Sequence, residues 1–275
     1  MAIAYLNEGA VSLAAINWSD STGFANLATL VIASGSQTIT TALDQSGLSG
    51  GIDTLDIGPQ FTGRIGSPST GPLKVDADEG GSTHRVTYNA GGGVLYLQAA
   101  GDNNLISNFW KSSPGAAYLM GGTFTNVILG EGPLSVNGST TVDNAYLKGG
   151  NSTFEAGTGF KILNVYSGTH LIKRNFIASG SGGSETLNIY GGTVILDTTT
   201  TGNLTTVNVF RDGTLRLLSS DGIATLNLEG YADFSQAKVG ITIATANLGP
   251  LYKINESANV TITTRAAAGA KALRG

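Results

Sequence analysis

Apolar and polar positions alternate with period two in short bursts along this chain, and glycine closes many of the bursts. In "ETLNIYGGTVILDT" (185–198) the aliphatic pair Leu187 and Ile189 flanks Asn188, a Gly-Gly turn follows, and "TVILDT" resumes as a second strand. Related segments stand at "KILNVYSGTHLIKR" (161–174), "TTVNVFRDGTLRLLSS" (205–220) and "ATLNLEGYADFSQ" (224–236). Aligned, they put Asn164, Asn188, Asn208 and Asn227 in one column at steps of 24, 20 and 19 residues. A period near twenty predicts a solenoid. Strand side chains alternate faces, so Leu163 and Val165, Leu187 and Ile189, Val207 and Val209, and Leu226 and Leu228 point inward while the asparagines point outward.

Looser copies follow the same rhythm: "TLDIGPQFTGRIG" (54–66), "RVTYNAGGGVLYLQA" (85–99), "FTNVILGEGPLSVNG" (124–138) and "NAYLKGGNSTFEAG" (144–157). The predicted fold is therefore all-β, a parallel β-solenoid (β-helix) of about ten coils over residues 51–262. A β-sandwich or jelly roll also uses short strands and Gly-rich turns, but it predicts no recurring Asn column. One coil buries too little apolar surface to offset the entropy of ordering its own residues. Stacking supplies the missing burial, which is why the pattern repeats.

The ends break the pattern. Residues 1–50 do not match the repeat and read as an N-terminal cap over an open strand edge, or as a docking arm, with Trp18 and Phe24 as anchors. Residues 263–275 read as a basic, flexible C-terminal tail in which Arg265, Lys271 and Arg274 have no acid among them; an acidic partner surface would order it.

Composition agrees with the pattern. Of 275 residues 40 are Gly, about twice the usual share, and only 12% are charged, so there is little material for surface helices. The chain has no Cys, which excludes disulfides and thiolate chemistry. A net charge of −4 with 15 scattered basic residues provides no field for gripping nucleic acid. The opening "MAIAYLNEGAVSLAAINWSD" has no basic leader and its apolar run is broken at Asn7, Glu8 and Gly9, so neither a signal peptide nor a membrane span is expected.

Candidate chemistry is sparse. Asp197, Asp212 and Glu229 fall at non-equivalent positions of the repeat, which does not build the paired carboxylates of a glycosidase by stacking alone. Asp76, Asp78 and Glu79 in "VDADEGGSTH" (75–84) lack the spacing of a calcium loop and read as a solvated acidic loop. His84 and His170 stand far apart without further zinc ligands, no GxSxG elbow is present, and "NAGGGVL" (89–95) lacks the Lys-Ser/Thr ending of a phosphate loop. No catalytic, metal or cofactor residue is assigned, and no cofactor is expected. More telling are Tyr166, Tyr190 and Phe210, each two residues after a ladder Asn. Alternation puts them on one outward ridge, the pattern of an interface.

The stretch "TITTALDQSGLSGGIDTLDIGPQFTGRIGSP" (38–68), leading into Gly-punctuated short strands, resembles structural proteins of tailed-bacteriophage particles, in the style of β-helical head decoration or cement proteins and more distantly of tailspike bodies. The resemblance implies a non-enzymatic virion protein on the capsid surface, assembled in the host cytoplasm. Its partners would be the major capsid protein and itself, as a homotrimer, without nucleic acid or membrane. A tail or surface adhesin that binds or cleaves glycans is the alternative.

Overall fold

In a computed structural model the described residues are 2–5, 27–39, 54–68, 71–76, 85–100, 105–156, 158–173, 185–197, 204–219, 222–238 and 240–267. Among them every regular element is a β-strand, and the strands stack in parallel, so the chain is an all-β parallel β-solenoid. It divides into two compact units, Met1–Asp143 and Asn144–Gly275.

In the N-terminal unit a first ladder runs through Ala2–Tyr5, Leu27–Gly35, Thr54–Phe61, Arg85–Tyr88, Leu105–Ser112 and Gly122–Glu131, each pairing in parallel with the next. A second ladder runs through Thr38–Ile39, Arg64–Ile65, Val94–Ala100, Ala116–Leu119 and Pro133–Val136. Leu73–Asp76 pairs with the far half of Val94–Ala100. Alternation converts this stacking into core columns: Leu30, Leu55, Val86, Phe109 and Val127 share one register and are all buried.

The C-terminal unit repeats the scheme more regularly. Its first ladder is Gly159–Val165, the front of Thr186–Asp197, the front of Leu204–Ser219, Ile223–Leu228, Ile241–Leu248 and Val260–Ala267. Its second is Asn151–Phe154, Thr169–Ile172, the backs of the same two long strands, Tyr231–Asp233 and Lys253–Asn255. Leu163, Leu187, Val207, Leu226 and Ala246 form one buried column and Val165, Ile189, Val209 and Leu228 the next, as the aliphatic pairs predicted. Burying a side chain of this size contributes roughly 1.5–3 kcal/mol.

Glycine sits where the two strands of a coil meet because backbones stack there with no room for a side chain. Gly192 has φ +73°, and a Cβ on it would lie 2.6 Å from the carbonyl oxygen of Gly168 in the preceding coil. Only glycine meets both conditions.

The coils extend beyond the boundaries that the sequence pattern suggests. Leu27–Gly35 belongs to the first ladder, with Leu30 and Ile32 fully buried, so coiling starts inside the stretch expected to be a cap. Its apolar run "LATLVIA" carries no outward Asn and escapes the repeat alignment. At the other end Val260–Ala267 is a paired strand, which takes Arg265 out of the expected tail and into the last coil. The coil count also differs slightly from ten, because uneven loops make residue number a poor ruler.

Candidate functional site

The outward face of the first ladder in the C-terminal unit is built from three columns two residues apart along each strand. Thr186, Thr206, Thr225, Thr245 and Thr264 stack in one register, with Ile162 at its head. Asn164, Asn188, Asn208, Asn227 and Asn247 form the second. Each asparagine from 188 onward donates its amide N–H to the side-chain oxygen of the one before, at 2.9, 2.7, 2.7 and 2.7 Å. Asn164 in turn donates to the carbonyl of Ala145 at 3.4 Å. The ladder's amides answer one another and are therefore structural; aligned amides polarise one another and tie successive coils together.

The third column is aromatic. Tyr166 and Tyr190 stack with ring centroids 5.0 Å apart and planes 10° from parallel, and Tyr190 and Phe210 stack at 4.4 Å and 11°. Tyr166 remains 43% exposed and Tyr190 37%, so the described residues leave the column open. Desolvation raises the Tyr166 pKa above that of a free phenol, and the neighbouring Tyr190 and Tyr146 raise it further, so Tyr166 presents a neutral hydroxyl. Because ring faces are spent on one another, a partner meets ring edges and hydroxyl groups.

The outward face of the second ladder is different. There Arg216 lies 3.7 Å from Asp233, and Lys238 lies 3.3 Å from Asp197. Asp197 accepts the Ser219 hydroxyl at 2.8 Å, a bond that, with Lys238, lowers its pKa. Asp233 is lowered in the same direction, first by Ser235 and then by Arg216 and Asn255. One face carries compensated ion pairs; the other carries threonine and asparagine columns and an aromatic column that Glu229 continues after Phe210.

Other predicted positions fall outside this site. Arg265 pairs with Glu256 at 2.8 Å, so its charge is already answered within the chain. Trp18, Phe24, Lys271 and Arg274 lie outside the described residues, as do His84 and most of the acidic loop 75–84. His170 is fully buried; its Nε2–H donates to the Ser167 carbonyl at 2.8 Å and its Nδ1 accepts from Ser152 Oγ at 2.9 Å. That pair has a serine and a histidine but a backbone carbonyl as its third member, inside the core. Among the described residues no group of three His, Asp or Glu side chains could hold a metal ion.

Other features were missed by the sequence reading. Asn247 continues the ladder by one coil, and Asn126 donates to Asn108 at 3.2 Å in the N-terminal unit, as extending the twenty-residue step in both directions would have shown. Tyr96 and Tyr118 stack at 4.6 Å on the second ladder of that unit. Lys111 is buried inside the coil, donating to the carbonyls of Ser113 and of Glu131, the latter at 2.7 Å, beneath the Tyr88 ring. Burial lowers its pKa to about 8 against the opposing pull of Glu131. No family model, curated protein or solved structure matches the chain.

Proposed function

We propose that the chain is a non-enzymatic structural protein of a virion, a head decoration or cement protein that binds the major capsid protein and associates with itself as a trimer. The observation that carries this reading is the stacked column Tyr166–Tyr190–Phe210, its two tyrosines exposed, beside the asparagine ladder. A ridge of ring edges beside asparagine and threonine columns suits a protein surface, which supplies apolar area and hydrogen-bond partners together. The phage setting rests on the sequence resemblance. The trimer rests on the preference of oligomers for closed symmetry, and repeated attachment would multiply weak single contacts.

Two of the described carboxylates lean the same way. A glycosidase needs an acid held protonated by a raised pKa, whereas Asp197 and Asp233 are both shifted down. The test is co-sedimentation of purified protein with empty heads, together with its native mass, for wild type and Tyr190→Ser. Wild type should pellet with heads and run as a trimer, and the variant should lose both properties while melting at the same temperature. A monomeric wild type that stays in the supernatant, or a reducing-end assay showing polysaccharide shortened, overturns the proposal.

A further inference from the structure

The N-terminal unit carries a second surface feature that the ridge does not use. On its first ladder, Val31, Asp56, Thr87 and Trp110 occupy one outward column. Three side chains of small or moderate size are followed by an indole, so Trp110 stands proud as a wall, 45% exposed. Next to that column Gly58 has no side chain, since a Cβ there would lie 2.8 Å from the carbonyl oxygen of Ala33. The result is an open groove of about 710 Å³. Four rungs at about 4.8 Å spacing make it roughly 14 Å long.

Its lining is mostly apolar, set with both donors and acceptors, and nearly charge-balanced. Arg85 lies 3.7 Å from Asp56 and its guanidinium sits 5.9 Å from the centre of the Trp110 ring. At 3.7 Å the ion pair is loose, and both side chains are more than one-third exposed, so donors and carboxylate oxygens remain available to a ligand. Asn89 accepts the Ser112 hydroxyl at 2.9 Å through its carbonyl oxygen, which leaves its amide hydrogens for another acceptor. The Thr87 hydroxyl is buried with no hydrogen-bond partner; it is the register partner of Trp110, so movement of the indole would uncover it.

We propose that this groove binds a neutral oligosaccharide of two to three sugar units. A sugar chain needs an exposed aromatic for its C–H surface and a mixture of donors and acceptors for its hydroxyls. The paired Asp56 and Arg85 cancel each other's charge, which removes the attraction that an acidic glycan or a charged peptide would require. The groove's length along the stacked strands matches a short linear oligomer rather than a single small molecule. The groove's residues belong to the N-terminal unit and the ridge's to the C-terminal unit, so different variants test them.

The test is a printed array of neutral, sialylated and uronic-acid glycans probed with the labelled full-length chain, alongside Trp110→Ala, Arg85→Gln and Tyr190→Ser. Neutral glycans should be retained. Binding should fall roughly tenfold or more in Trp110→Ala, the scale of losing an aromatic anchor, fall in Arg85→Gln, and persist in Tyr190→Ser. Loss in Tyr190→Ser alone would place recognition on the ridge and overturn the assignment. Retention of acidic glycans only, retention unchanged by both groove variants, or no retention of any glycan would overturn it as well. Matching melting temperatures separate loss of binding from loss of fold.

Discussion

Asn208 gives one amide hydrogen bond to Asn188 and receives one from Asn227, so it is an interior member of a continuous chain of side-chain amides. Truncating it strands a donor on one side and an acceptor on the other. Asn208→Ala should therefore lower unfolding free energy by about 1–3 kcal/mol, and Asn247→Ala, which removes one bond at the end of the chain, by less; urea melts of the two variants check the order. His170 makes the opposite kind of contribution. Burial lowers its pKa, against the Ser167 carbonyl that pulls it up, so the folded chain prefers the neutral ring. Its folded pKa lies below the unfolded value of about 6.5, so in that window the unfolded chain binds more protons and stability rises with pH. The contribution is complete above the unfolded value and is lost as pH falls toward the folded one. Urea midpoints measured down from neutral pH should fall more steeply for wild type than for His170→Leu.

At the scale of the element, the corners decide whether two short strands make a hairpin or a coil. The sequence shows two short strands on either side of Gly191 and Gly192 around a Gly-Gly turn. In the fold each pairs with its counterparts in the neighbouring coils. The positive φ at Gly192 and the nearness of the Gly168 carbonyl make this corner specific. Gly192→Ala should cost roughly 1–3 kcal/mol, while Gly240→Ala, whose Cβ would meet nothing within 4 Å, should be near neutral; thermal melts distinguish the two. The inward pairs Leu187/Ile189 and Val207/Val209 were legible because period-two alternation around a polar residue has one reading. The register of Asp197 was not. A bulge between Leu196 and Asp197 places it opposite Ser219, two residues beyond the partner of Leu196, and an extra residue in a strand leaves no mark in composition.

At the scale of the whole molecule, it is the C-terminal unit in which the two ladders divide the outward surface by chemistry. In the C-terminal unit the second ladder carries compensated ion pairs and the first carries threonine, asparagine and aromatic columns. If the stacked rings are the contact, association should depend only weakly on ionic strength, because screening acts only on charges and Glu229 lies beyond the three rings of that column. Sedimentation of the assembled species at low and high salt checks this. Strong weakening by salt would instead move the contact to basic residues such as Lys271 and Arg274. The ridge itself was half legible. Spacing placed Tyr166, Tyr190 and Phe210 on one side, and the stacking followed from a parallel register that keeps every third-column residue one rung above the last. Trp110 was overlooked because its column holds Val31, Asp56 and Thr87, which share no residue type for an alignment to find.

Local alternation, glycine placement and the recurring asparagine were enough to settle strand, facing and parallel stacking, since each depends on geometry within one coil or between adjacent ones. The extent of the coiling, the closing of the asparagine amides into one chain, the pairing of Arg265 with Glu256 and the groove beside Trp110 needed the folded chain. These depend on which side chains of different coils come to lie side by side, and unequal loop lengths hide that distance in a linear sequence.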